Sequence, residues 1–160
     1  MSKRAAPRLP ATRHICDACL CLNAQRAARA LARSFDDAFR PLGITSGQFS
    51  LLVSLNRPTP APIGAVAALL AMDRTTLTAN LKPLERRGLL LKSVARGDRR
   101  ARVLALTLAG RRLLAAAVPV WRRQQRAIEA ATGAPAARVR RQLRALAAAP
   151  GKCGQARPIG

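Results

Sequence analysis

The sequence predicts a mostly α fold that carries one small β-hairpin. Three observations predict it. Apolar residues, chiefly Ala and Leu, make up 49% of the chain and aromatics only 2%, and both Ala and Leu favour helix. Apolar positions recur at steps of three and four along most of the chain. Two short apolar runs, 89–95 and 101–107, flank Arg96-Gly97-Asp98-Arg99-Arg100, a glycine-containing basic turn that reads as a hairpin tip. With 160 residues the chain is one domain's worth, long enough to bury a core.

Residues 1–13 are basic and contain proline but no apolar period, which predicts a disordered arm. A long helix is expected over 17–40. Leu20, Ala24, Ala27, Leu31, Phe35, Ala38 and Leu42 form its apolar line, and Pro41 and Gly43 end it. Thr45-Ser46-Gly47-Gln48 has the capping-box pattern and opens a helix over 47–55. The three prolines of 56–62 force an extended loop. Pro62 then serves as the first residue of a helix running to 71.

Asp73 is a good N-cap for the next helix, 73–87. Leu77, Leu81 and Leu84 form its inward stripe, and Gly88 supplies the left-handed stop. Pro83 should bend its C-terminal half. Residues 63–88 are therefore helix, short turn, helix, and with the basic hairpin they read as a winged helix-turn-helix. A long helix over 108–131, kinked at Pro119, and a last one over 135–149 complete the chain, with a loose tail at 150–160. The domain reading is a winged helix-turn-helix over 44–107, with 14–43 and 108–149 as a helical dimerisation region.

The net charge is +22, from 29 Lys plus Arg against 7 Asp plus Glu. Such an excess costs self-repulsion unless a polyanion answers it, and nucleic acid is the usual one. Arg outnumbers Lys 25 to 4, and Arg is the better phosphate fork. A compositional bias accounts for Arg over Lys but not for the shortage of acids. No long apolar span or signal-peptide order is seen, so no membrane contact and a cytoplasmic location are expected. The single His14, and the lack of a carboxylate pair, phosphate loop or nucleophile–base pair, speak against an enzyme. No cofactor is called for.

Double-stranded DNA is the expected partner. On a wheel with Leu77, Leu81 and Leu84 inward, Thr75, Ala79, Lys82 and Arg86 face outward and Thr76 and Thr78 flank them. The threonine hydroxyls suit phosphates or base edges, and their methyls suit thymine. Lys82 and Arg86 suit phosphates further along, and Arg74 sits at the helix start. Arg99 and Arg100 at the hairpin tip are placed to enter a minor groove. Scattered charge usually means a solvated face. Here residues 72–112 concentrate nine Arg and two Lys against three acids.

These residues resemble the MarR family of bacterial winged-helix transcriptional regulators, over about Leu20 to Leu146. The resemblance rests on Gly43-Ile44-Thr45-Ser46-Gly47-Gln48-Phe49, on Met72-Asp73-Arg74-Thr75-Thr76-Leu77-Thr78, and on Leu84-Glu85-Arg86-Arg87-Gly88-Leu89. The wing Gly97-Asp98-Arg99-Arg100, leading to Leu106-Thr107-Leu108-Ala109-Gly110, joins them. The resemblance implies a symmetric homodimer paired through its first and last helices, addressing a pseudo-palindromic operator. It also implies a repressor released by a small, often phenolic, ligand or by thiol oxidation. By the same resemblance Arg100 is the minor-groove arginine of the wing, and Asp98 positions it. The chain departs from the pattern at Ala79, where many relatives carry an Arg on the DNA face.

His14, Cys16, Cys19 and Cys21 form an H-x-C-x-x-C-x-C cluster. The residue types suit a thiol redox sensor, a zinc site or an iron–sulfur ligand set. They also suit small apolar side chains at the start of a dimer helix, the reading the spacing favours. If both are helical, Cys19 and Cys21 point about 200° apart, which disfavours a shared metal. Relatives that sense peroxide carry a Cys in this helix at a register that falls near Gln25 here. The competing function of another class is a sequence-tolerant architectural DNA-binding protein that uses charge alone.

Overall fold

The computed structural model describes residues 9–95 and 97–148, with the side chains of residues 98–100 outside that description. The elements run α1 (Leu9–Ala18), α2 (Leu20–Phe39), a 3-10 turn (Arg40–Leu42), α3 (Ser46–Leu55), β1 (Ala61–Pro62), α4 (Ile63–Leu70) and α5 (Arg74–Arg86). The wing strands β2 (Leu90–Ala95) and β3 (Asp98–Leu106) come next, then α6 (Leu108–Ala131) and α7 (Ala136–Ala148). This is a mostly helical winged helix-turn-helix fold with a small antiparallel sheet. The chain forms two compact units, one up to Trp121 and one from Arg122.

The core of the first unit is built where the sequence put its leucines. Leu77 and Leu84 of α5 are fully buried, as are Leu51 and Leu52 of α3, Val66 of α4, Leu90 of β2 and Leu104 of β3. Phe39, the buried end of α2, stacks between Phe35 and Phe49 with ring centroids 6.0 and 4.7 Å away. Such offset pairs add to the burial of the rings themselves. The capping box of α3 is complete: the Gln48 amide nitrogen donates to the Thr45 hydroxyl at 3.2 Å, and the Thr45 amide to the Gln48 side chain at 3.1 Å. The Ser46 amide donates to the Asp36 carboxylate at 2.6 Å, tying α3 to α2.

The first helical region differs from expectation. Residues 9–13 belong to α1 and not to an arm, while residues 1–8 and 149–160 lie outside the described residues. The expected single helix is broken at Cys19, which is extended (φ −71°, ψ 108°) and caps α2 by accepting from the Leu22 amide at 3.4 Å. The Asn23 side chain reaches back to the carbonyls of Asp17 and Cys16 at 3.1 and 3.4 Å, acceptors that the end of α1 leaves open, and also to that of Cys19 at 3.0 Å. No residue of the expected apolar line is buried, and the one buried residue of α2, Phe39, lies off that line. Leu20 is 68% exposed and Leu31 38%.

The second difference is a third strand. Ala61 and Pro62 pair with Leu104 and Val103, so the proline-rich segment closes the sheet as β1, in the order β1-β3-β2. Pro62 caps α4 from this strand and is not its first helical residue. Proline suits a sheet edge, where its missing N–H leaves no ladder bond unmade.

The turn between α4 and α5 contains Ala71 in the left-handed region, φ 49°. A side chain there costs about 1 kcal/mol. Ala71→Gly is therefore expected to raise the melting temperature by about 1–3 °C, as read by thermal denaturation. A fall would show that the extra freedom of unfolded glycine outweighs the relieved strain.

Candidate nucleic-acid interface

Helix α5 presents the face the sequence predicts. Leu77, Leu81 and Leu84 are buried, while Arg74, Thr75, Thr76, Thr78, Ala79, Lys82 and Arg86 are exposed. Arg74, Thr75, Thr78, Ala79 and Lys82 line one shallow open concavity. Ala79, Lys82 and Arg86, with Pro83 and Glu85, line the next. The outward residues thus form a continuous strip along the helix, which continues past Pro83 to Arg86.

The three threonines are not equivalent. The Thr76 hydroxyl donates to the Asp73 carboxylate at 2.7 Å, and the Thr78 hydroxyl donates to the Arg74 carbonyl at 2.7 Å. Both hydroxyl protons are spent within the helix, leaving an acceptor lone pair and a methyl to offer. Among the described residues the Thr75 hydroxyl donates no such bond. Thr75→Val is therefore expected to change the ranking of operator variants, as read by competition binding. Thr76→Ala is expected chiefly to loosen the first turn, as read by thermal denaturation. The reverse pattern would sink this division.

Asp73 holds that first turn. It accepts from the Thr76 amide at 2.8 Å as well as from its hydroxyl. These bonds, the amide first, hold its carboxyl below the ordinary range. A depressed folded value means the cap's contribution is whole above the ordinary carboxylate range, about pH 4, and is lost as pH falls through the depressed value. Asp73→Asn keeps an acceptor without that titration, so it is expected to flatten the acid limb of stability. An unchanged acid limb would assign it to other carboxylates.

The far end of α5 is closed by a Schellman motif. Gly88 is left-handed (φ 66°), and the Leu89 and Gly88 amides donate to the Leu84 and Glu85 carbonyls, each at 2.9 Å. Arg87 is a brace that the sequence reading missed. Its guanidinium donates to the Gly43 carbonyl and, at 3.3 Å, to that of Leu42, joining the end of α5 to the turn before α3. It looked like one more basic residue because its partners lie 44 and 45 positions away.

The wing begins two residues further on. β2 and β3 pair from Leu90↔Leu106 to Val94↔Arg102, then shift register to Ala95↔Asp98. Asp98, Arg99 and Arg100 therefore belong to the start of β3, at its register shift, and not to the turn, where Gly97 has φ 85°. The roles expected for the Asp98, Arg99 and Arg100 side chains lie outside the described residues. At the base, Thr107 ties wing to helix. Its hydroxyl donates to the Gly88 carbonyl at 2.7 Å and accepts from the Gly110 amide at 3.0 Å.

Cys16, Cys19 and Cys21 lie around the α1–α2 break, on elements other than α5 and the wing. Cys16 and Cys21 are exposed and Cys19 is half-buried, all as free thiols. Cys16 and Cys19 do not share a face of one helix, because the break falls between them. Among the described residues, no three His, Cys, Asp or Glu side chains are gathered as a metal needs. No helix in the described residues is long and apolar enough to cross a membrane.

Comparison with known proteins points the same way. The MarR family model matches residues 44–101. The DNA-bound crystal structure of the M. tuberculosis transcriptional regulator MosR is 38% identical, with a TM-score of 0.77 over 85% of this chain and 98% of that one. A probable transcriptional regulator from Pseudomonas aeruginosa is 28% identical, with a TM-score of 0.68 over 82% and 96%. CouR from Rhodococcus jostii RHA1, solved with p-coumaroyl-CoA, shares the fold at 21% identity and a TM-score of 0.68 over 81% and 90%. A comparison with curated protein sequences gave no match. With a capped α5 strip, a wing and this degree of identity, the chain belongs to the MarR family and is a DNA-binding transcriptional regulator.

Proposed function

We propose that the protein is a homodimeric repressor that holds a pseudo-palindromic operator and lets go on binding a small ligand or on thiol oxidation. The observation that carries the dimer is uncovered apolar surface. Leu9 and Ile15 of α1, Leu20 and Leu31 of α2, and Leu143 and Leu146 of α7 are all exposed. Apolar side chains recurring at helical spacing on terminal helices are what a second copy would cover. In each copy α5 enters a major groove through Arg74, Thr75, Thr76 and Thr78, with Lys82 and Arg86 on phosphates. The wing supplies Arg100 to the adjacent minor groove, with Asp98 and Arg99 beside it.

A small phenolic ligand is supported by CouR, whose structure holds p-coumaroyl-CoA. Thiol release is supported by three free cysteines within six residues at the α1–α2 break. The test is competition. The dimer, verified by sedimentation, is expected to hold one operator about 10³-fold or more tighter than random duplex. Loss of that preference would leave the architectural reading instead. Phenolic acids and peroxide, added separately to the bound complex, then distinguish the two release routes.

A further inference from the structure

The winged-helix stretch, 44–107, carries ten Lys plus Arg against three acids, a net +7. Residues 108–148 carry nine Arg against one acid, a net +8. More excess charge therefore lies in the C-terminal helices than in the element that reads DNA. The second unit, from Arg122, makes the imbalance concrete. Arg122, Arg123 and Arg126 of α6 and Arg138, Arg141 and Arg144 of α7 are exposed.

Glu129 is the one acidic side chain in 108–160. It is already engaged by Gln125 at 2.8 Å and by the Arg140 guanidinium. Those bonds, Gln125 first, hold its carboxyl below the ordinary range. The six arginines thus have no carboxylate of their own unit left to pair with. They repel one another at i,i+3 and i,i+4 spacings, Arg122 with Arg126 and Arg138 with Arg141 among them. Such a surface is expensive without an external polyanion.

Its layout suits a phosphate backbone. Arg138, Arg141 and Arg144 recur every three residues along α7, away from the edge made by Val139, Leu143 and Leu146. The apolar edge is free for a second copy while the arginine face stays open. Guanidinium groups fork phosphates bidentately. An anionic membrane fits less well, because an interfacial helix needs a broad apolar face and this edge is three aliphatic side chains. We propose that this helical unit is a second duplex-DNA site, contacting phosphates outside the operator without regard to sequence. It goes beyond operator reading and stands or falls apart from it.

The test uses the full chain and a random duplex of about 30 bp, with affinity followed against salt. Each phosphate contact contributes about 0.9 to the slope of log affinity on log salt. Replacing the six arginines with Gln is expected to lower that slope by about 2 or more, while replacing them with Lys restores most of it. Circular dichroism and a cooperative thermal transition show that the Gln variant is folded. An unchanged slope in a folded Gln variant overturns the proposal, whatever the operator preference of wild type proves to be. A second measurement needs no variant. Operator-saturated wild-type protein is expected to capture a labelled random duplex at low salt, seen as a heavier species in sedimentation. Failure to capture it, or transfer to phosphatidylglycerol vesicles with the duplex slope unchanged, also overturns the proposal.

Discussion

Gly110→Ala is expected to lower the melting temperature by roughly 6–12 °C. A Cβ built at Gly110 would stand 2.0 Å from the Leu89 carbonyl oxygen, 3.0 Å from its carbon and 3.3 Å from the Leu106 side chain. The obstacle is backbone, so no rotamer change relieves it. Leu89 is held in place from both sides. Its amide completes the Schellman closure of α5, and its carbonyl accepts the Thr107 amide at 3.2 Å. Making room for the methyl must therefore move α6 away from the junction of α5 and the wing. Overpacking of this kind costs about 3 kcal/mol where the neighbour cannot yield, and a chain of this length loses about 2–4 °C per kcal/mol.

The control is Ala109→Gly, at an exposed neighbouring position, which carries only the helix cost of glycine, about 1 kcal/mol. If Gly110→Ala melts no lower than Ala109→Gly, the close approach is not as tight as the geometry gives it. Operator affinity should fall together with stability in Gly110→Ala, because the displaced element carries both α5 and the wing.

This close approach also explains what the sequence could and could not tell. The Leu-Thr-x-x-Gly run at 106–110 was readable as a family feature, but its cause was not. Thr107 tethers Gly88, and Gly110 lets Leu89 in. Both partners lie about twenty residues away, across a hairpin, where periodicity has no reach. Features whose physics is local were legible. The Thr45–Gln48 box, the Asp73 cap, the leucine stripe of α5 and the Gly88 stop each involve residues within a turn or two. The α1–α2 break escaped because neither glycine nor proline marks it. A cysteine cap and one asparagine side chain make it instead. β1 escaped because a two-residue strand containing proline gives no alternating pattern, and its partners are some forty residues later. Of the exposed strip of α5, the direction of each residue was legible from the wheel. Which threonines keep a free hydroxyl proton was not, since that depends on bonds to Asp73 and Arg74.

Arg100→Ala is expected to weaken operator binding by about 10- to 100-fold while leaving the dimer and the melting temperature unchanged. The argument starts from the hairpin. β2 has only Leu90 buried, and Leu91 and Val94 are 63% and 49% exposed, so its outer half has little core of its own. Losing one side chain there should cost little stability. β3 starts at Asp98, and its register passes from Val94↔Arg102 to Ala95↔Asp98, so position 100 lies in the irregular stretch between those two paired positions, beside the tip. A narrow, A·T-rich minor groove focuses negative potential and favours arginine in particular. Arg100→Lys should therefore recover only part of the loss. The decisive comparison pairs protein and DNA changes. Replacing A·T by G·C under the wing should weaken wild type but leave Arg100→Ala nearly unaffected, the coupling expected of a direct contact. Equal losses in both proteins, or wild-type operator affinity in Arg100→Ala, would move the wing contact to another residue, with Arg99 the first to test.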